Sequence, residues 1–372
     1  MAKQKDFDTF LRNIEPSKTT VQYVSSVQNS LRDYLRQHKT YSNVHKETFL
    51  SGSYAKHTSI RPTKEDNKRD VDIIVVTTHS QDDDSSKVLQ ELYDVLVASS
   101  TYRSATIQHH SVGIELSQLS IDVVPVIVDK DDDSLYWIAD SKDGTWTNSD
   151  PKGHKNWSTE TNRNNNNNYK PLVKIFKWWR RKHCPSGVKY PKGITLEKLI
   201  ADNLGDSSAS TEDFLIETMQ NIVSAYKKAY VDAGINPYID DPSGKIDSND
   251  LLAGYTTDDF KGFILKLDEH IKLLNDNGSE SETWRTILGT EFPKNQESKS
   301  LYNLLACKTA SHRQKSAWPM ARGSAVIVTL RVEGADGSYV AYESNGQPLS
   351  KHCSLHFKAL TGVKPRIQSS GK

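Results

Sequence analysis

Residues 70–76 read Asp-Val-Asp-Ile-Ile-Val-Val. A run of β-branched residues specifies a strand, and a strand sends every second side chain to the same face. Asp70 and Asp72 therefore stand side by side at the head of an apolar strand. Two such carboxylates repel each other and raise their own pKa values. Asp72 is followed directly by Ile73, Ile74, Val75 and Val76, where an unpartnered charge would be costly to bury. A second apolar run, Ser-Ile-Asp-Val-Val-Pro-Val, carries Asp122. If the two strands are neighbours, three carboxylates converge. Hard oxygen ligands with open coordination positions suit Mg²⁺, or Mn²⁺, carrying a nucleoside triphosphate, and two ions are expected at Asp70, Asp72 and Asp122.

Upstream lies Phe-Leu-Ser-Gly-Ser-Tyr-Ala-Lys-His-Thr-Ser-Ile, residues 49–60. Gly52 permits close backbone approach to an anion. Ser53 offers a hydroxyl, and the N–H groups that follow point to the same place. Lys56 and Thr58 add polar groups one turn on. A Gly-Ser pair alone is an ordinary turn. Its weight comes from the order: Gly-Ser, then Thr, then the Asp-x-Asp strand, then the third Asp in another strand. Tyr54 is read as packing.

The surrounding pattern is mixed. A helix is expected over 17–38, capped by Ser17, with Val21, Val24, Leu31 and Leu35 inward. Strands are expected at Val71–Thr78, Thr106–Leu116 and Ile121–Val128, with a helix at Ser86–Ala98 between them. Residues 129–168 read as a loop ending in a solvated linker of five Asn. From Pro171 the pattern turns helical, with further helices near 195–204, 211–232 and 258–275, the last stopped by Asn277-Gly278. After about 320 the period becomes two, and Asp336-Gly337 and Asn345-Gly346 signal hairpins.

The 372 residues carry 48 Lys and Arg against 47 Asp and Glu, a net charge of +1. Coating of nucleic acid by bulk charge is thereby disfavoured. Local clustering is another matter. Residues 161–192 hold nine basic side chains and no acidic one. Lys170, Lys174, Lys177 and Arg181 form one helical stripe, opposite an apolar face of Leu172, Val173, Phe176 and Trp179. A triphosphate clamp or a solvated face both fit; Trp178 and Trp179 are read as core. The three cysteines, Cys184, Cys307 and Cys353, are too few and too far apart for a disulfide framework or a Cys-rich zinc site. His109-His110 has no His or Cys partner at ligand spacing and is read as structural. With no signal-peptide pattern and no apolar run near 18 residues, a soluble, cytoplasmic protein is expected.

These motifs resemble the nucleotidyltransferases of the polymerase-beta-like superfamily. In particular, GSYAKHTSIRP, DVDIIVV and IDVVPV are similar to those of the bacterial cGAS/DncV-like enzymes (CD-NTases, SMODS domain). The order WIADSKDGTWTNSDPKGHKNW, YKPLVKIFKWWRRKH, KGITLEKLI continues the likeness over about 20–310. The segment AWPMARGSAVIVTLRVEG with YESNGQPLSKHCSLHFKAL resembles the start of an AGS-C sensor domain, here shortened.

The resemblance implies an α+β fold. A polymerase-beta-like palm, a mixed sheet with helices, would occupy 1–168 with an N-terminal helix. A helical lobe would follow at 169–310, and a small β-rich segment at 311–372. It implies a template-independent synthase that joins NTPs, ATP and/or GTP, into a cyclic di- or trinucleotide messenger for antiphage (CBASS-type) defence, releasing pyrophosphate. It makes Lys177 the candidate for the donor phosphates, beside Gly52, Ser53, Lys56, Thr58, Lys174 and Thr195. No membrane and no stable polynucleotide partner are expected; a regulatory partner protein, or an effector reached through the product, is. The competing readings are an RNA- or tRNA-tailing enzyme, an antitoxin-type transferase, and a non-catalytic nucleotide sensor.

Overall fold

The structure, a computed structural model, describes residues 4–62, 69–246 and 249–294, and the backbone of 327–333, 339–342 and 354–360. Two compact units emerge, Met1–Asn295 and Gln296–Lys372. The first contains helices α1 (Gln4–Ile14), α2 (Lys18–Gln37), α3 (Gly52–Ala55), α4 (Ser85–Val97), α5 (Pro151–Asn164), α6 (Tyr169–His183), α7 (Gly193–Ala201), α8 (Thr211–Tyr226), α9 (Thr257–Asn277) and α10 (Ser281–Leu288). Its strands are β1 (His45–Leu50), β2 (Arg69–Thr77), β3 (Thr106–Ile107), β4 (Val112–Glu115), β5 (Leu119–Val128), β6 (Tyr136–Ala139) and β7 (Trp146–Ser149). In the second unit, β8 (Ile327–Glu333), β9 (Tyr339–Tyr342) and β10 (Ser354–Leu360) form an antiparallel sheet in the order β10-β8-β9. The expected hairpin turns at Asp336-Gly337 and Asn345-Gly346 lie outside the described residues.

The seven strands of the first unit make one mixed sheet, ordered β1-β2-β5-β4-β3. β2 and β5 run parallel; the other pairs are antiparallel. The ten-residue β5 serves two partners along one edge: β4 pairs with Ser120–Val123 and β6 with Val126–Val128. Strand alternation then sorts β2. Val71, Ile73 and Val75 pack under α2 and α4, against Leu31, Leu35, Leu89 and Leu92. On the other face Ile74 and Val76 meet Val126 and Tyr136. Asp70 and Asp72 share that second face, at the end left open by this smaller cluster.

The helical lobe has its own core. Trp178 and Trp179 lie inside it with Phe263, Leu267 and Trp284. α1 joins this core: Phe7, Phe10 and Ile14 are fully buried, and Phe7 sits edge-on to Trp284 with ring centroids 5.2 Å apart. Each such buried side chain contributes roughly 1.5–3 kcal/mol. The chain's first helix thus packs on the lobe that follows the sheet, and α2 on the sheet itself.

Several expectations need correction. Val21 is 46% exposed, so α2 turns Val24, Leu31 and Leu35 inward without it, although Ser17 does cap the helix, its Oγ accepting from the Thr20 N–H. Thr106–Leu116 is a hairpin, β3 and β4, not one strand, because the chain turns at 108–111. Residues 129–168 are not a loop: they contain β6, β7 and α5. Four-residue strands and a polar helix carry too little apolar pattern to be read. α5 starts on Asp150, whose side chain accepts from the Gly153 N–H, with Pro151 in its first turn. Nor are the five Asn a linker. Asn166 and Asn167 adopt left-handed backbone (φ 54° and 63°) and reverse the chain between α5 and α6, while the Asn168 side chain donates to the Ser207 carbonyl at 2.9 Å. Asn tolerates this conformation better than most residues.

Candidate active site

The parallel register of β2 and β5 pairs Asp72 with Asp122, and Asp70 lies two residues back on the same face. Three carboxylates from two strands thus gather at one edge of a cleft. Desolvation raises the Asp72 carboxyl above its ordinary value, and the charges of Asp122 and Asp70 push it further. Asp122 is raised in the same way, by burial and by Asp70. Two groups answer this on Asp122. Ser111 Oγ lies 3.4 Å from its Oδ1, and the Gln108 side chain also bonds it, lowering its pKa. Neither residue stood out in the sequence; the adjacent His pair was the only local signal.

Gly52 closes the other side. The Ser51 N–H donates to the Asp72 carbonyl at 2.9 Å, and Gly52 then takes φ +57°. A Cβ on Gly52 would fall 1.8 Å from Asp72 Oδ2. The close approach that demands glycine is therefore to the Asp72 carboxylate. Ser53 follows at the start of α3, facing the cleft.

Opposite stands a buried network that the sequence did not reveal. Glu197 of α7 is fully buried. Its Oε1 accepts from Lys177 at 2.6 Å and from Thr58 at 3.0 Å, and its Oε2 pairs with Lys56 at 2.8 Å. Lys177 also donates to Thr58 Oγ1 at 2.8 Å. Burial alone would raise the Glu197 carboxyl; Lys177 and Lys56 outweigh it and leave it below the ordinary value. Burial depresses Lys177, with Glu197 opposing. The one signal for Glu197 is a charge inside the apolar run Leu196, Leu199, Ile200.

The remaining expectations divide. Lys177 borders the cleft. Lys174 turns elsewhere: its ammonium pairs with Glu15 at 2.7 Å. Lys170 reaches back to Thr159 of α5 at 3.2 Å, and Arg181 donates to the Arg61 carbonyl. Helical spacing aligned these cations, but neighbouring elements send each to a separate partner. Thr195 is buried, and its hydroxyl donates to the Leu251 carbonyl at 3.1 Å, which ties it to a loop. Cys184 donates to the Val188 carbonyl and His183 faces the Ile287 carbonyl. Tyr54 is buried, as expected of packing.

Two cavities meet here. One, of about 780 Å³, is walled by Arg69, Arg180, Arg181, Lys177 and Lys192. The other, of about 500 Å³, has an apolar floor of Ile74, Val124 and Ile138 beside Asp72, with His154 and Lys155 above. Ser53, Asp70, Lys177 and Lys192 border both. The first has the charge to hold a polyphosphate. The second offers a mixed apolar and polar surface next to the carboxylates. The carboxylates themselves suit hard divalent cations: oxygen donors only, pushed together, with raised pKa values that added positive charge would relieve.

The comparisons with known proteins agree with this geometry. Residues 1–162 match the family profile described as the Second Messenger Oligonucleotide or Dinucleotide Synthetase domain. A cyclic AMP-AMP-AMP synthase from Acinetobacter sp. is 37% identical over 309 residues, 81% of this chain and 88% of that one. A cyclic AMP-AMP-GMP synthase from Enterobacter hormaechei is 26% identical over 356 residues, 79% of this chain and 92% of that one. Among solved structures, Vibrio cholerae DncV cyclic AMP-GMP synthase with the linear intermediate 5′ pppA(3′,5′)pG superposes with a TM-score of 0.55 at 14% identity. That match covers 78% of this chain and 86% of DncV. The α+β fold read from the sequence is that of these proteins, whose family is generally dependent on divalent metal. With its carboxylate cluster, paired cavities and 37% relative, the chain belongs to the second-messenger oligonucleotide or dinucleotide synthetase family, the bacterial CD-NTases.

Proposed function

We propose that the protein joins nucleoside triphosphates, without template or primer, into an adenine-containing cyclic trinucleotide, in the cytoplasm, as a CBASS-type defence signal. The observation that carries this is the shared wall. Ser53, Asp70 and Lys177 border both cavities, so a donor triphosphate in the basic one and an acceptor hydroxyl in the other meet at the carboxylates. Support for adenine and for a ring of three comes from the names of the two relatives, each with at least two AMP units.

Each side chain then has a task. Ser53 and Lys177 hold the donor phosphates, and Arg180, Arg181 and Lys192 extend the positive wall along them. Glu197 and Thr58 fix the Lys177 ammonium before substrate arrives, which removes the entropy of ordering a long side chain. Asp70, Asp72 and Asp122 would hold two divalent cations, which when bound neutralise triphosphate charge and favour ionisation of the attacking hydroxyl. Gln108 and Ser111 keep the Asp122 carboxylate oriented. The linear product is then held by both ends in one cleft, where proximity favours closure on its own triphosphate.

The test is incubation of the protein with the four NTPs and Mg²⁺ or Mn²⁺, then phosphatase treatment and mass spectrometry. A phosphatase-resistant cyclic species formed from NTPs alone is expected. If only primer-extended RNA forms, under either metal, the RNA-tailing reading replaces this one. Ser53→Ala should weaken all NTPs alike, roughly tenfold, because phosphate contacts carry no base information; selective loss of one nucleotide would remove Ser53 from the phosphate site.

A further inference from the structure

The turn between β3 and β4 carries His109-His110, and the end of β6 brings Asp140 against it from thirty residues away. One ligating atom from each residue lies within 4.8 Å of the others, the only such group of His, Cys, Asp or Glu found among the described residues. The side chains are aimed. His110 Nδ1 is 2.9 Å from the Ala139 carbonyl. A carbonyl only accepts, so Nδ1 carries the proton and Nε2 keeps its lone pair, the arrangement found in metal-binding histidines. His109 stacks on His110 with ring centroids 3.8 Å apart, and its Nε2 lies 3.0 Å from Asp140 Oδ1. Asp140 is 9% exposed and anchored: its Oδ1 accepts the Lys142 N–H at 2.8 Å, and its carbonyl accepts from Ser85 Oγ at 2.8 Å.

We propose that His109, His110 and Asp140 bind one divalent transition-metal ion, Zn²⁺ in the cell, at a site separate from the three catalytic carboxylates. Two imidazoles and one carboxylate, with a position left for water, suit Zn²⁺ and disfavour Mg²⁺, which prefers oxygen donors. Ligand atoms about 2.0–2.2 Å from a tetrahedral ion sit roughly 3.3–3.6 Å apart. The three atoms already lie within 4.8 Å of one another, and the exposed His109 ring is the member free to adjust. Ligation through His109 Nε2 replaces its contact with Asp140 Oδ1 and leaves the neutral ring's proton on Nδ1. The ion would tie the 108–111 turn to the loop after β6. That turn also carries Gln108 and Ser111, which hold Asp122, so the clamp would fix the support of one catalytic carboxylate.

The experiment uses the full chain, stripped with EDTA and held in excess Mg²⁺, with Zn²⁺ titrated by calorimetry and melting followed in parallel. The catalytic carboxylates can also take Zn²⁺, so the parent for comparison carries Asp70→Ala and Asp72→Ala. That parent should bind one zinc equivalent and melt a few degrees higher with it. Adding His109→Ala or His110→Ala should remove that equivalent or weaken it at least tenfold, and cancel the shift in melting. Co²⁺ should give visible absorption bands in the parent that both histidine variants lose. His109 is the more exposed of the two rings, so His109→Ala decides the matter if His110→Ala melts lower without metal. No uptake by the parent, or equal uptake by the His109→Ala chain, would overturn the proposal.

Discussion

At the scale of single residues, Gly52 and Asp72 constrain each other. Gly52→Ala sets a methyl 1.8 Å from Asp72 Oδ2 at φ +57°. The backbone strain costs about 1–2 kcal/mol, but the larger effect is displacement of the carboxylate. Synthesis should fall at least a hundredfold while the melting temperature drops only a few degrees, checked by rate assay and thermal melt. Asp72 itself works against stability. Burial first, then Asp122 and Asp70, hold its carboxyl above the ordinary range. The native state therefore binds this proton more tightly than the unfolded chain. The resulting stabilisation is full below the unfolded pKa, near about 4, and is lost as pH rises through the raised native value. Metal-free Asp72→Asn should accordingly gain in melting temperature over wild type as pH goes from 4 to 7, and lose activity at least about a hundredfold; Mg²⁺ should shrink the gain. A gain that stays flat with pH would contradict the raised carboxyl. That Asp70, Asp72 and Asp122 converge was legible, because charge at the head of an apolar strand needs a partner. That Gly52 abuts Asp72 was not, since it depends on how β1 delivers the chain to β2.

At the scale of elements, Glu197 joins α3, α6 and α7 through Lys56, Lys177 and Thr58. Removing one member of a buried ion cluster leaves uncompensated charge and costs about 3–5 kcal/mol. Glu197→Gln should lower stability in denaturant by that order. A double-mutant cycle with Lys56→Met should return part of the loss, because the orphaned ammonium is then gone; additive losses would argue that the two do not interact. The sequence showed the basic helix but not this cluster. Helical periodicity states which residues share a face, as for Lys170, Lys174, Lys177 and Arg181. It does not state which neighbour each will meet, and α5, Glu15, Glu197 and Arg61 claim one apiece. Polar elements were the other blind spot. α5 buries little, so its cap at Asp150 carried the only strong signal.

At the scale of the whole molecule, charge is segregated rather than abundant. Outside 161–192 the chain has 39 basic residues against 47 acidic ones. A polynucleotide needs many phosphate contacts along its length, whereas a triphosphate needs one pocket. ATP binding should weaken as salt is raised from 50 to 200 mM, and a 20-nucleotide RNA at equal concentration should fail to displace ATP at 150 mM; displacement would return the tailing enzyme to contention. The Asn tract bears on the same cleft in another way. α5 carries His154 and Lys155 of one cavity, α6 carries Lys177 of both, and Asn165–Asn168 set the spacing between them. Five identical residues share four different jobs here: last helical turn, cap, left-handed reversal, and tether to Ser207. A copying error that lengthened or shortened the tract by one would leave every job filled by the same residue type. It would still rotate one wall against the other. Length as well as identity is exposed to natural selection in this segment, and the gap between two cavity walls is what it would be measuring.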